Sequence, residues 1–286
     1  MGVALGLGAA LCWGLADYFA ALASRRVGTV RVVLGFHGVA CVLLAAMVAS
    51  TDALDRVSWS DLPFFLLIGA VGFGSYVAFY RALAIGPISV VSPIVSGYAA
   101  VTVLLSVIVL GEHLSAGRAA AVALVIGGVA LASTDVRELA RTHHVEALGI
   151  VLAIATAFLI GGFVFGVAER APRLGWLAPI FLARVVSAVF VFVVAASRRE
   201  LRLPDRSPSI VAMIVFLGVI DTAGYISFNL GTRHAATSVV ATASAPYALV
   251  PIVLGVLLLH ERPARIQWLG VTAVIAGLVL LGLSAS

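Results

Sequence analysis

Two stretches decide the fold: Gly69-Ala-Val-Gly-Phe-Gly-Ser-Tyr76 and Gly218-Val-Ile-Asp-Thr-Ala-Gly-Tyr225. They lie 149 residues apart, and the match runs on without a gap. At the same shift Ser89 falls on Ser238, Tyr98 on Tyr247, Glu112 on Glu261 and Gly128 on Gly277, so the register holds for about 70 residues. Nearer the start, a shift of 147 puts Leu5 on Leu152, Gly14 on Gly161 and Gly28 on Gly175. The two-residue difference falls before the third apolar run. The chain reads as two copies of one unit, about 1–133 and 147–286.

Each copy is a string of apolar runs. A bilayer core of about 30 Å takes roughly 20 residues of apolar helix. Runs bounded by charges or turn residues cover about 2–23, 30–49, 62–83, 88–110, 115–133, 147–168, 175–196, 209–230, 236–259 and 265–283, which predicts ten transmembrane helices. Barrel strands would be about 10 residues long with alternating polarity; these runs are continuous and twice that length. Composition agrees. The 286 residues are 62% hydrophobic and 11% charged, with a mean hydropathy of +1.16. A soluble domain is about 45–50% apolar and about 25% charged. These values exclude a water-soluble enzyme and a disordered chain. The net charge of +5 does not mark a nucleic-acid binder, because all 18 basic residues are arginines scattered between the spans. Cys12 and Cys41 sit inside apolar runs, without metal-ligand spacing, and read as small packing residues. Ala21-Leu22-Ala23 imitates a cleavage site, but the run before it is long, lacks a basic start and carries Asp17, so it reads as a span.

Five crossings per copy is an odd number, so the second copy enters the membrane upside down relative to the first. The expected fold is an all-α integral membrane protein, with ten transmembrane helices as two inverted five-helix repeats around a central cavity. Inverted repeats are the architecture of many secondary transporters, with the site near the midplane between the halves. A duplicated scaffold without transport is the alternative; polar residues inside the spans argue against it.

Particular strings carry a resemblance. The first run contains Leu11-Cys-Trp-Gly-Leu-Ala-Asp-Tyr-Phe19, followed by Ala-Ser-Arg-Arg-Val-Gly28. The fourth contains Gly97-Tyr-Ala-Ala-Val-Thr-Val-Leu-Leu105 and leads into Val-Leu-Gly-Glu-His-Leu-Ser115. The second copy has Leu-Leu-Leu-His-Glu-Arg-Pro263, then Gln267-Trp-Leu-Gly-Val271 and Ala276-Gly-Leu278. Together with the duplication these resemble the EamA family of the drug/metabolite transporter superfamily, over nearly the whole chain. The resemblance implies ten helices around a central cavity. It also implies a secondary transporter of small metabolites, often an exporter of amino acids or similar solutes, and not an enzyme. One departure is visible. The family often has proline directly after the tyrosine of helices 4 and 9, where this chain has Ala99 and Ala248; Pro93, Pro246 and Pro251 interrupt the same stretches instead.

An ionised side chain at the bilayer centre costs about 2.5–3.5 kcal/mol on insertion scales. Each one inside a span is therefore a site candidate. Arg184 and Asp221 lie mid-span in helices 7 and 8 at matching depth, placed either to pair with each other or to meet substrate. His37 matches Arg184 under the 147 shift, so one copy holds a permanent cation and the other a titratable group. Asp17 reads as one turn inside the end of helix 1, on the same face as Trp13, where a carboxylate beside an aromatic ring suits a cationic amine. Pairing with Arg25 or Arg26 is its alternative. The matching positions Val164 and Ile160 make this feature one-sided. Helix 8 carries Asp221, Tyr225 and Asn229 at a spacing of four, matched in helix 3 by Gly72, Tyr76 and Tyr80. Both stripes read as cavity lining.

Helices 4 and 9 are interrupted at matching places, Ser92-Pro93 with Ser96-Gly97, and Ser244-Ala-Pro246 with Pro251, beside Tyr98 and Tyr247. Freed backbone inside a membrane belongs where it is buried or lines water, although simple kinks also account for it. The expected substrate-binding set is Trp13, Asp17, His37, Tyr76, Tyr98, Arg184, Asp221, Tyr225, Asn229 and Tyr247, with no metal or cofactor. Glu112 and Glu261 read as interfacial, pairing with Arg118 and with Arg262 or Arg265. Gly2/Gly6 and Gly162/Gly166 read as close-packing pairs.

Arginine counts put five residues on the side of the termini and twelve on the other. The positive-inside rule then places both termini outside the cytoplasm; the family resemblance implies the opposite. The expected setting is the plasma or inner membrane, as a monomer or homodimer. A small-molecule substrate and the lipid bilayer are its partners, proton coupling is an added expectation on Asp17, Asp221 and His37, and no nucleic acid is involved. Amino acids, cationic drugs and organic anions all suit the charges present. A dyad of the two membrane aspartates is the enzymatic alternative, opposed by their placement at different depths in the spans.

Overall fold

The computed structural model describes residues 1–85, 91, 94–133, 147–203, 205, 207–250, 253–254 and 264–284. Among these residues all regular structure is helical, as lipid requires of a backbone that must satisfy its own hydrogen bonds. The α-helices are α1 (Gly2–Val27), α2 (Thr29–Ala49), α3 (Leu62–Ile85), α4 (Tyr98–Leu110), α5 (Ala116–Ser133), α6 (Ala147–Leu174), α7 (Leu177–Ser197), α8 (Pro208–Gly231), α9 (Thr237–Ser244) and α10 (Arg265–Ser284). Among the described residues eight helices are long and apolar enough to cross a membrane, and the protein is an integral membrane protein. The predicted spans 88–110 and 236–259 are represented by the shorter α4 and α9; Pro93, Pro251 and Glu261 lie outside the described residues.

Helix ends follow the repeat. Gly28 closes α1 at φ 87° and Gly175 closes α6 at φ 81°. Their N–H groups donate to Ser24 O and Ala171 O at 3.0 and 2.9 Å. A side chain at either position would force an L-residue into the left-handed region. α1 runs on to Val27, a full turn beyond the predicted end, carrying Arg25 and Arg26 in its last turn. Asp17 is therefore well inside the helix rather than one turn from its end.

The packing is reciprocal. α1 lies along α8 and α6 along α3; α2 packs on α7 and α5 on α10. Gly14 of α1 meets the Tyr247 carbonyl and Val250, while Gly161 of α6 meets the Tyr98 carbonyl and Val101. Gly69 abuts Val186 and Gly218 abuts Val39. Gly128 faces Gly270 and Val274, and Gly277 faces Ala121 and Val125. Every one of these contacts turns into its partner under the 147 and 149 shifts. The expected small-residue pairs are only partly used. Gly2 and Gly6 press on Ala235 and Ala243, and Gly166 on Ile68, but Gly162 has nothing within 4 Å. The close approach in α6 belongs to its neighbour Gly161.

Glu112 does not pair with Arg118. Its Oε1 and Oε2 accept hydrogen bonds from the backbone N–H groups of Thr237 and Ser238, at 2.8 and 3.1 Å. Arg118 Nε instead donates to the Ser284 carbonyl at 3.1 Å. A carboxylate at the start of α9 satisfies donors that the helix itself leaves open, and complements its dipole. Replacing Glu112 by Ala is expected to cost about 0.5–2 kcal/mol. The thermal unfolding temperature of the purified protein should fall, with the Gln variant in between. An unchanged unfolding temperature in Glu112→Ala would remove the capping role.

Candidate functional site

The site grows from i, i+4 spacing on facing helices. On α8, Asp221 and Tyr225 share one face; on α1, Trp13 and Asp17 do the same. Gly224 lets the two helices close up, since a Cβ there would stand 2.6 Å from Trp13 Nε1. Trp13 then packs edge-on against Tyr225, ring centroids 5.0 Å apart, with Phe228 at 5.7 Å and Tyr98 at 6.4 Å. Tyr98 in turn meets Tyr247 at 5.5 Å. The break in each interrupted segment carries one of these tyrosines. α4 begins at Tyr98 after a turn at 96–97, and a 3-10 segment, Ala245–Ala248, holds Tyr247 after α9. The Tyr98 hydroxyl is hydrogen-bonded to Ser244 Oγ at 2.9 Å, and Tyr247 to Ser96. Each half thus ties its tyrosine to the broken helix of the other.

These rings border a cavity of about 80 Å³. Trp13, Asp17, Tyr76, Tyr98, Asp221, Tyr225 and Tyr247 all line it. Asp17 lies half-buried on its wall, and among the described residues its carboxylate has no ion-pair or hydrogen-bond partner. It is within electrostatic reach of Asp221. The two aspartates therefore open on one cavity, not at the different depths that the run lengths suggested. The longer α1 accounts for the difference.

Asp221 is not free. Arg184 Nη2 donates to its Oδ2 at 2.6 Å, and the two residues are 2% and 6% exposed. Arg184 Nη1 faces the Tyr76 hydroxyl and His37 Nε2, each at 3.5 Å. The guanidinium carbon sits 4.8 Å from the Tyr225 ring centroid, within cation–π range. His37 Nδ1 contacts the Val33 carbonyl at 3.0 Å. A carbonyl only accepts and arginine only donates, so both contacts fit a neutral imidazole with its proton on Nδ1. Arg184 and His37 stand behind Tyr76 and Asp221 rather than on the cavity wall. Asn229 is also apart from it: it is 1% exposed, its Nδ2 donates to the Tyr225 carbonyl at 3.0 Å, and its Oδ1 has no partner among the described residues. Nothing is described of the Tyr80 side chain. The described residues hold no cluster of three or more His, Cys, Asp or Glu suited to a metal ion.

The model of the EamA-like transporter family matches residues 1–134 and 143–283. The chain belongs to this family. Its members are small-molecule transporters. A relative from Escherichia coli (strain K12), named "Probable amino-acid metabolite efflux pump", is 24% identical over 267 residues, covering 88% of each chain. A solved crystal structure of a protein superposes with a TM-score of 0.80 at 16% identity, covering 99% of this chain and 97% of its own. That likeness concerns the fold alone.

Seven uncharged lining residues stand outside the expected set: Ala16, Ser75, Phe79, Val95, Ile160, Phe163 and Val164. The repeat holds the signal for three of them. Under the 147 shift Ile160, Phe163 and Val164 are the mates of Trp13, Ala16 and Asp17, all of which line the same cavity. Phe163 stands at 90° to Tyr225, 5.7 Å away. Polarity alone cannot find these three, because the part of the wall that α6 supplies is apolar.

Proposed function

We propose that the protein is a secondary transporter that exports small amine-bearing metabolites, amino acids or related solutes, from the cell across the plasma or inner membrane. The observation that carries this reading is Asp17, a carboxylate without an ion-pair or hydrogen-bond partner among the described residues, on a cavity walled by Trp13, Tyr98, Tyr225 and Tyr247. Such a wall suits an ammonium group, which gains from both the charge and the ring faces. The name of the Escherichia coli relative supports the substrate class. His37, Arg184 and Asn229 belong to the proposed site as its backing: they hold Tyr76, Asp221 and Tyr225, and Arg184 reaches a substrate carboxylate only when its pair with Asp221 opens.

The proposed architecture is ten spans in two inverted repeats, 1–133 and 147–286, working by alternating access. The reciprocal glycine contacts support it, since a two-fold relation makes i meet j′ wherever j meets i′. The family matches over 1–134 and 143–283 divide the chain at the same place. Export then requires that substrate bind differently in the two states. Asp17 also offers the one unpaired acid on the described cavity wall for proton coupling.

Efflux of larger cationic compounds is the second reading, favoured by the same aromatic wall. The cavity volume of about 80 Å³ opposes it, since drug-sized ligands occupy about 300–1,000 Å³. Proteoliposomes loaded with labelled amino acids or with cationic dyes separate the readings. Saturable amino-acid flux without dye flux is expected. Dye flux alone would favour multidrug efflux, and no flux of either would favour a scaffold. Flux that ignores an imposed pH gradient would remove the proton coupling.

A further inference from the structure

A second cavity, of about 360 Å³, opens between α2, α3 and α7. It has two unlike ends. Arg81, near the end of α3, and Arg198, directly after α7, stand at one end; Phe73, Tyr76 and Val191 line the inner part. Between them the walls are apolar, with Val30, Val77 and Val194 among them. Both arginines are exposed, and neither has an ion-pair partner among the described residues. Val77 is 51% exposed, so the groove is open along the outer face of α3.

The repeat gives the feature a control. The positions matching Arg81 and Arg198 in the other half are Leu230 and Thr51. The fold therefore does not need cations at these helix ends; one half has them and its mate does not. The arginine end lies on the side that holds twelve of the arginines. Basic pockets between transmembrane helices suit the headgroups of anionic lipids.

We propose that this groove binds one anionic phospholipid, its phosphate between Arg81 and Arg198 and an acyl chain along Val30, Val77 and Val194 toward Tyr76. Charge complementarity selects the headgroup, and the apolar length selects a lipid over a free anion. Because the inner end touches Tyr76, which also lines the central cavity and faces Arg184, lipid occupancy is placed to influence the transport site.

The test uses the purified full chain in detergent, titrated with short-chain phosphatidylglycerol and followed by native mass spectrometry. One bound lipid is expected, with short-chain phosphatidylcholine binding far more weakly. The Arg81→Gln, Arg198→Gln double variant should weaken binding about thirtyfold, from roughly a factor of five per arginine. Val77→Trp, at an exposed position, should fill the groove and block the lipid while both arginines remain. Equal binding of both lipids, or native binding in either variant, overturns the proposal. Inorganic phosphate that displaces the lipid at comparable concentration also overturns it, in favour of a plain anion site.

Discussion

An Asp221→Ala chain is expected to accumulate poorly and to unfold at much lower denaturing strength than the native protein. Arg184 is buried to 2% exposure, and Asp221 is its only anionic partner among the described residues. The remaining contacts, His37 Nε2, the Tyr76 hydroxyl and the Tyr225 face, are neutral. Removing one member of a buried pair costs about 3–5 kcal/mol, because the other charge stays buried without compensation. An arginine cannot shed its proton to escape. A carboxylate can take one up, so Arg184→Met should lose less than Asp221→Ala. Replacing both, as Arg184→Met with Asp221→Leu, should recover most of the abundance. The fraction of monodisperse protein after solubilisation, with its thermal unfolding curve, reads all three. Native abundance and unfolding in Asp221→Ala would mean that the pair carries little. The double variant then addresses transport: a pair that opens for substrate loses flux although the chain is folded, and a purely structural pair keeps it.

This pair was legible in the sequence, and so was the all-helical membrane character of the chain that holds it. Arg184 and Asp221 stood at equal depth in adjacent runs, and lipid leaves two opposite charges few other choices. Other features were not legible. The depth of Asp17 was misjudged because Arg25 and Arg26 looked like the end of the span. Long arginine side chains reach the interface from inside a helix, so the helix continues beneath them to Val27. Glu112 looked like a partner for Arg118 because the two are near in sequence; its actual partners are backbone donors of α9, over a hundred residues away. Periodicity assigns a residue to a face but does not say which helix covers that face. Asn229 shows this: its stripe with Asp221 and Tyr225 is real, yet it ends behind the cavity rather than on it.

The symmetry explains where the charge went. Trp13 and Asp17 are matched by Ile160 and Val164, and Asp221 by Gly72, so the cavity is built twice and charged once per helix pair. In the proposed two-fold scaffold the packing residues repeat, whereas the site residues need not. Gly14 and Gly161 repeat because each admits the other half's backbone carbonyl. The proposed site draws on departures from the repeat, and Asp17 is the departure that lines the cavity.

Asp17→Asn is accordingly expected to lower export at sub-saturating substrate by roughly ten- to a hundredfold while leaving the fold intact. The substitution keeps shape and volume, and no described hydrogen bond or ion pair is lost with the charge. Abundance and unfolding temperature should match the native protein. A charge-assisted hydrogen bond contributes about 1.5–3 kcal/mol, so affinity for an amine-bearing substrate should fall by roughly ten- to a hundredfold. Asp17→Glu retains the charge but lengthens the side chain into a small cavity, and an intermediate loss is expected. Asp221 provides the contrast. Its loss acts first on folding, because its charge is spent on Arg184; the loss of Asp17 acts on flux alone, because its charge is not. Initial export rates from proteoliposomes, set beside unfolding curves of the same preparations, separate the two. Native export by Asp17→Asn would refute the ammonium site and leave the aromatic wall without its charge.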